Sequence, residues 1–216
     1  MAPLVHEDRE RDLVHATRAL FDERGMQDAP VEEIARAAGI ARGLVYRQFS
    51  SKEELFVLTV TDYLAELAEA MEAAIATASG DPVERLTGLT EAFARFCERY
   101  PAYLDCCLSL MHRPAHELNA TVSHSVWLRL GAGMASCVGP LCDVLHDGRE
   151  AGAFTCADPD YTANVLWTHG LGLMHLARIR VGLRRTAGAP ELFAVSADDV
   201  VRTCVQTALT LAGVRP

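Results

Sequence analysis

Hydrophobic residues recur every three or four positions along most of this chain, which is the spacing of one face of an α-helix. Leu13, Ala16, Leu20 and Phe21 begin this pattern near the N-terminus, and Gly25 after them is a good C-terminal helix cap. No convincing run of alternating β-branched residues interrupts the pattern. The sequence therefore predicts an all-α fold whose first helix ends at Gly25.

A helix-turn-helix is predicted at about residues 31–50. Pro30 suits the first turn of its first helix, Gly39 ends that helix, and the next helix runs from about Arg42 to Gln48. Such a motif needs small residues where the helices meet, a glycine that can take the left-handed turn conformation and apolar anchors on the second helix. The residues that meet these needs are Ala35 and Ala38, then Gly39, and the apolar Ile40, Val45 and Phe49.

The fourth predicted helix begins at a capping box, in which Ser51 and Glu54 satisfy free backbone amides. Its apolar stripe from Val57 to Ala78 predicts a helix of about 28 residues, on the order of 42 Å long. A fifth helix then starts at Asp81-Pro82. The other predicted elements are a short sixth helix between Pro101 and Pro114, a seventh over about 117–151 with a kink at Gly139-Pro140, an eighth from Asp158-Pro159 to about Val181, a loop at 184–190, and a ninth to about Ala212 with a cap at Ser196.

The distribution of charge favours a nucleic-acid partner, although the net charge of −9 does not. Residues 34–52 hold no acidic residue but four basic ones, Arg36, Arg42, Arg47 and Lys52. Residues 53–216 hold 12 of the 20 basic residues and 20 of the 29 acidic ones, a balance of −8. A basic window on an acidic body is typical of a specific DNA-binding protein.

Composition also indicates where in the cell the protein is expected. Half of the residues are apolar and 23% are charged, as in globular proteins. No apolar stretch reaches the roughly 18 uncharged residues of a membrane span, and the N-terminal segment lacks the apolar core of a signal peptide. We therefore expect a cytoplasmic protein without a membrane partner. The seven cysteines form no C-x-x-C pair and are expected to be buried free thiols, with redox sensing by Cys106 and Cys107 as the alternative.

The second half of the chain carries no enzyme motif. Residues 80–216 contain no nucleophile elbow, P-loop, zinc-protease motif or dinucleotide-binding fingerprint. His112 and His116 have the spacing of a metal site on a continuous helix, but Pro114 lies between them. We therefore expect no enzymatic activity, no cofactor and no metal site.

Four segments resemble the N-terminal domain of the TetR family of transcriptional regulators. They are residues 20–25 (LFDERG), 34–40 (IARAAGI), 43–49 (GLVYRQF) and 51–55 (SKEEL). The resemblance covers about residues 10–58. It implies a helix-turn-helix DNA-binding domain at residues 1–52, built from three helices, and a helical-bundle domain for ligand binding and dimerisation at residues 53–216.

The resemblance also implies which side chains contact DNA. Some would face base edges or nearby phosphates, and others would bind phosphate, Lys52 from the amino end of helix four. The first group is Arg42, Gly43 and Arg47, and the second is Tyr46 and Lys52, with Leu44 counted in the same surface.

Three positions depart from the family's usual residues. Ala41 replaces a common Ser or Thr cap, Leu44 stands where a hydroxyl residue commonly meets phosphate, and Pro30 replaces a frequent Thr. Fewer hydrogen bonds to the DNA backbone are therefore expected.

For the C-terminal domain, the resemblance implies an effector cavity and a homodimer made by the last two long helices, helices 8 and 9 of the prediction, at about 159–181 and 197–212. Gly170 and Gly172 permit close helix approach there, either between subunits or within one subunit. The predicted effector contacts combine aromatic, sulfur and polar side chains, which line small-molecule cavities and cores alike. They are Phe96, Tyr100, Tyr103, Cys107, Met111, Trp127, Met134, Trp167 and His175.

The predicted function is that of a ligand-responsive, DNA-binding transcriptional regulator. It would be a repressor that binds a palindromic operator in double-stranded DNA as a homodimer and is released by a small-molecule effector, whose identity the sequence does not reveal. The alternative is a DNA-binding regulator whose C-terminal domain binds a partner protein or senses thiol oxidation.

Overall fold

The fold is described from a computed structural model, which covers residues 3–25, 29–112, 114–186 and 188–214. Within these ranges the chain forms ten α-helices and one two-stranded antiparallel sheet, which confirms the all-α class. The helices are α1 (Pro3–Arg24), α2 (Val31–Ala37), α3 (Arg42–Gln48), α4 (Lys52–Thr77), α5 (Pro82–Arg99), α6 (Pro101–Met111), α7 (Ala115–Thr121), α8 (His124–Glu150), α9 (Pro159–Ile179) and α10 (Ala197–Ala212), and the strands are β1 (Val181–Arg184) and β2 (Glu191–Ala194).

The chain divides into two compact units. Unit 1 combines Met1–Ala65 with Asp105–Met134, and unit 2 combines Glu66–Leu104 with Ala135–Pro216. Helices α4 and α8 each contribute residues to both units. The boundary after residue 52 was drawn from sequence motifs and stays a prediction.

In unit 1, helices α1, α2 and α3 pack on one another around buried apolar side chains. Leu13 on α1, Ile34 on α2 and Val45 on α3 are each at most 3% exposed. Polar contacts tie α1 to the first half of α4, because the Tyr63 hydroxyl donates to Asp22 at 2.6 Å. This hydrogen bond joins the end of α1 to α4.

The end of α2 shows how the turn of the helix-turn-helix is made. The amide of Ile40 donates to the Ala35 carbonyl at 2.9 Å, and the amide of Gly39 donates to the Arg36 carbonyl at 3.1 Å. This pair of bonds is a Schellman motif, which needs a left-handed residue after the helix. Gly39 supplies it with a φ of +68°, as the sequence predicted.

In unit 2, α5 packs against α9 and α10, and the Leu86 and Leu89 side chains are fully buried. Asp158 caps α9 by accepting a hydrogen bond from the Tyr161 amide at 2.9 Å, as predicted. The amide of Thr155, just before α9, donates to the Ala212 carbonyl at the end of α10. The two last helices therefore run antiparallel.

Two expectations about secondary structure are wrong. The long helix predicted over 117–151 is two helices, because the chain leaves the helical ladder at Val122 and Ser123, where Ser123 hydrogen-bonds Glu54 instead. Pro140 lies inside α8 without ending it. The hairpin β1–β2 was not predicted, because its four-residue strands are too short to show an alternating pattern; its connection lies within the loop predicted at 184–190.

Helix α8 has the length and apolar composition that a membrane span would need, the one such helix among the described residues. In its most apolar stretch of 18 residues, 28% is buried. In unit 1 its Arg129 forms an ion pair of 2.6 Å with Glu10 on α1. One helix of this kind is weak evidence of a membrane segment, because core helices of soluble proteins have the same composition.

Candidate nucleic-acid interface

Helix α3 is held by two buried side chains and exposes the rest of its surface. Val45 and Phe49 are each 3% exposed and anchor it to unit 1. Its N-cap is Ala41, whose side chain makes no capping hydrogen bond. The first turn of α3 is therefore uncapped, as the alanine at this position predicted, and the helix depends on its apolar anchors.

Five of the six predicted DNA contacts face solvent. Tyr46 is 49% exposed, and a Cβ placed on Gly43 would meet no heavy atom within 4 Å, so a DNA backbone could approach there. Leu44 is half-buried. The remaining three, Arg42, Arg47 and Lys52, are exposed.

Arg42 is not a free cation in this structure. Its guanidinium lies 2.6 Å from a carboxylate oxygen of Glu32 on α2 and 5.6 Å from the ring centre of Tyr46. Hydrogen bonding with Tyr46 and the charge of Glu32 both raise the pKa of Arg42. The basic window of residues 34–52 missed this neighbour, because Glu32 lies ten positions earlier in the sequence and only the turn of the motif brings it to α3.

Arg47 and Lys52 differ from Arg42 in this respect. Neither side chain has a salt bridge with any residue in the described part of the chain. Their charges are therefore available to phosphate or base edges without breaking an internal pair.

Lys52 stands next to a buried carboxylate that joins two segments of unit 1. Glu54 is 6% exposed and accepts hydrogen bonds from the amide and the hydroxyl of Ser50, both at 2.7 Å. Its other oxygen accepts from the amide of Ser123 at 3.2 Å and from the Ser123 hydroxyl. The predicted capping box is present in part, because the Glu54 amide donates to the Ser51 hydroxyl at 3.0 Å while the carboxylate binds Ser50.

The electrostatics of Glu54 follow from this geometry. Burial alone raises the pKa of its carboxyl group, but hydrogen bonds from Ser123 and Ser50 outweigh burial, and the pKa lies below the ordinary value. The Ser51 hydroxyl also donates to the Thr121 carbonyl at 3.0 Å. Thr121 and Ser123 were not found by sequence reasoning, since the contact spans about 70 residues and carries no local signal.

The predicted effector contacts are distributed over both units. In unit 2, the Phe96 ring lies 4.8 Å from the Tyr100 ring and 5.2 Å from the Tyr103 ring, and Tyr100 donates to Glu66 at 2.7 Å. Trp167 is 7% exposed and His175 is exposed. In unit 1, Cys107 is buried, Trp127 and Met134 are half-buried, and Met111 is 52% exposed.

Unit 2 contains a small apolar cavity beside Trp167. Its volume is about 20 Å³, and one of its lining residues is Phe93, whose ring lies 5.3 Å from the Trp167 ring. A Cβ on Gly170 would lie 2.8 Å from the Phe93 ring, so this glycine serves packing within the subunit. The other lining residues are Leu89, Thr90, Leu141, Leu166, His169, Cys204 and Ala208.

A larger hollow of about 230 Å³ lies at the far end of α9. Its walls include Met174, Arg178 and Arg180 from the end of that helix and Cys97 and Glu98 from α5. None of the nine predicted effector contacts lines this hollow.

The cysteines of the described chain are free thiols, and all except the half-buried Cys142 are buried. Burial, and then the neighbouring Cys107 and Asp105, raise the pKa of Cys106 far above its ordinary value. Burial also raises the pKa of Cys204 to about 11. Such thiols are slow to form the reactive thiolate.

Comparison with known proteins identifies the N-terminal region. Residues 13–58 match the family described as bacterial regulatory proteins, tetR family. The HTH-type transcriptional activator FasR of Mycolicibacterium smegmatis is 33% identical over 95 residues, which cover 44% of this chain and 43% of that protein. The HTH-type transcriptional regulator BetI of Stenotrophomonas maltophilia is 36% identical over 83 residues, covering 38% and 42%. The matched segment thus spans less than half the length of either relative.

A solved structure extends the similarity to the whole fold. RolR, solved in complex with the ligand resorcinol, superposes with a TM-score of 0.70 at 18% identity, covering 98% of this chain and 91% of that one. At this identity the likeness concerns the fold alone. Residues 13–58 therefore match the tetR family of bacterial regulatory proteins, and the architecture around them has the same fold as this solved structure.

Proposed function

We propose that this protein is a cytoplasmic repressor that binds a palindromic operator as a homodimer and is released by a small-molecule effector. The observation that carries the DNA-binding part is the surface of α3. There Arg47 is exposed above two buried anchors and forms no salt bridge with the described residues. The larger helical unit and the likeness to a fold solved with resorcinol support the effector part.

In the proposed complex, α3 enters the major groove, which is about 12 Å wide and admits one helix. Arg47, with Gly43 beside it, would face base edges, whereas Tyr46 and Lys52 would bind phosphate. One such helix binds weakly, and a two-fold dimer places two of them about 34–36 Å apart, one turn of DNA. The dimer would use α9 and α10.

For the effector, we propose the apolar cavity beside Trp167. Its walls combine aromatic and aliphatic side chains with the polar Thr90 and His169, which suits a small, mostly apolar molecule with one or two polar groups. Because the cavity holds about 20 Å³, entry must displace the Phe93 or Trp167 ring. The effector therefore selects a conformation in which these rings are apart.

The Glu54 contacts are proposed to relay the effector signal inside unit 1. Ser123 precedes α8, and Glu54 lies two residues after Lys52 at the start of α4. A shift of α8 that breaks the Ser123 bonds would release the first turn of α4 and move Lys52 away from phosphate. Ser123→Ala should then weaken operator binding even without effector, although Ser123 itself does not touch DNA.

The decisive experiment is binding of purified protein to DNA from its own upstream region, measured by footprinting and fluorescence anisotropy. We expect a protected, approximately palindromic site and two chains per site. Compounds that raise the melting temperature are then added to the complex, and effectors should release the DNA. A protein that binds no site more tightly than random DNA would refute the proposal.

The alternative is a response to a partner protein or to thiol oxidation. It predicts that no small molecule both raises the melting temperature and releases the DNA. Burial of Cys106 and Cys107 does not favour the oxidation route. FasR is named an activator, and a reporter gene behind the footprinted site would distinguish activation from repression directly.

A further inference from the structure

The hairpin β1–β2 has two different faces. On one face, the Phe193 ring lies over Gly182, where a Cβ would collide with it. The Arg184 guanidinium lies 5.3 Å from the centre of that ring and 3.4 Å from the Glu191 carboxylate on the opposite strand. This face is therefore covered by its own side chains.

The other face is apolar and open. Leu183 pairs with Leu192 across the two strands, and these side chains are 67% and 68% exposed, with Val181 beside them at 43%. A two-stranded hairpin alone is marginally stable in water, and a bare apolar strand pair promotes association. The strands pair with each other and make few contacts with the described helices. Among the described residues, none covers this apolar face.

We propose that the apolar face of the hairpin is a dimer arm that packs on the opposite end of unit 2 in a second copy of this chain. The proposal rests on the homodimer of the proposed function and goes beyond it, because it assigns the arm, its target and the relative direction of the two α9 helices.

Charge complementarity supports a second copy as the occupant. Residues 178–196, which include the hairpin, hold four arginines and one acidic residue. Residues 143–160, at the end of α8 and the start of α9, hold five acidic residues and one arginine. Arg184 pairs with Glu191 inside the hairpin, so the basic group is Arg178, Arg180 and Arg185. The acidic group is Asp143, Asp147, Glu150, Asp158 and Asp160, of which Asp147 also pairs with Arg85.

Helix α9 separates these two groups. It has 21 residues, so the acidic group at its start and the hairpin at its end lie roughly 31 Å apart. In a two-fold dimer, antiparallel α9 helices bring each basic hairpin to the acidic end of the other copy. Parallel helices would bring like charges together, which is unfavourable.

The exposed face of α9 is suited to packing against the antiparallel α9 of a second copy. Tyr161 and Ile179, 70% and 51% exposed, lie 18 residues apart, which is five helical turns, so they share one face. Thr168 and Gly172 lie between them on that face and are exposed. A Cβ on Gly172 would meet nothing within 4 Å, which leaves room for a second helix near the middle. Each hairpin would then cover the other copy's Tyr161.

Disulfide trapping tests the direction of the helices. Tyr161→Cys and Leu183→Cys proteins are oxidised separately and as an equimolar mixture, with the unaltered chain as background. We expect cross-linked dimers in the mixture above the level in either separate sample. Cross-links within each separate sample would show parallel helices and overturn the proposal. A dimer in sedimentation that forms no cross-link would overturn the arm, whereas a monomer would refute the proposed homodimer itself.

A matched pair of variants tests the face. Leu183→Thr with Leu192→Thr keeps residues that favour strands and removes the apolar cover, and we expect the dimer dissociation constant to rise at least tenfold. The control, Arg184→Thr with Glu191→Thr, changes the other face without changing net charge and should alter the constant less than twofold. Circular dichroism checks that both variants are folded. Equal effects of the two variants, or none, would overturn the proposal.

Charge reversal provides an independent test. Arg180→Glu with Arg185→Glu should weaken the dimer, more strongly at low salt. Adding Asp143→Lys and Glu150→Lys reverses both ends and should restore at least part of the affinity. A further loss in the combined variant would contradict the pairing of these two ends.

Discussion

Helix α3 and the hairpin β1–β2 both project exposed side chains, but they do so for different physical reasons. On α3, the exposed residues are polar or cationic and stand over buried Val45 and Phe49. On the hairpin, the exposed residues include Leu183 and Leu192, with little packed beneath them. Water solvates exposed charge well, so α3 is stable before its DNA partner arrives. Exposed leucine is poorly solvated, so the hairpin requires an apolar partner.

The largest expected effect comes from removing an anchor of α3. Phe49→Ala should lower the free energy of unfolding by about 3–5 kcal/mol, because it empties a buried site. Leu192→Ala in the hairpin should change it by less than about 0.5 kcal/mol in the monomer. Urea unfolding of both variants, followed by circular dichroism at low protein concentration, measures the difference. Equal losses would mean that the hairpin is as well packed as α3.

Next in size is the loss of a DNA contact. Arg47→Ala should cost about 1–3 kcal/mol at the operator and relax its specificity, whereas Lys52→Ala should weaken all sequences alike and flatten the salt dependence. Anisotropy titrations on operator and random DNA at several salt concentrations separate the two. If Arg47→Ala weakened both DNAs equally, its assignment to base edges would be wrong.

The Glu54 contacts should make stability depend on pH. Because the folded-state pKa of Glu54 is lowered, its contribution is present above the unfolded-state pKa and is lost as pH falls through the folded-state value. Glu54→Gln should therefore lower stability at pH 7 by about 1–3 kcal/mol and reduce the acid dependence. The control Glu53→Gln changes a neighbouring acid outside these hydrogen bonds and should keep the wild-type pH profile.

The smallest expected effect concerns the Arg42–Glu32 pair. Glu32→Gln frees the Arg42 guanidinium and should tighten DNA binding severalfold, in keeping with a surface ion pair of about 0.2–1 kcal/mol. Glu33→Gln is the matched control, because Glu33 pairs with Arg24, 2.6 Å away, on α1. If both variants tightened binding equally, general charge rather than the release of Arg42 would be responsible.

The sequence by itself determined the elements that depend on neighbours along the chain. Gly39 ends α2 because only a left-handed residue closes the turn there, and the apolar spacing of Val45 and Phe49 sets which side of α3 is buried. Asp81 and Asp158 cap their helices through bonds to amides two or three residues ahead. For the same reason, the bounds of α3 were predicted to the residue.

Only the tertiary structure decided the features that join distant residues. Ser123 breaks the predicted long helix because it hydrogen-bonds Glu54, 69 positions away, and Glu32 neutralises Arg42 because the turn folds α2 against α3. Likewise, Gly170 packs against Phe93 while Gly172 stays open, although both looked alike in the sequence. Periodicity and caps report local backbone preference, whereas these contacts exist only once packing has brought the helices together.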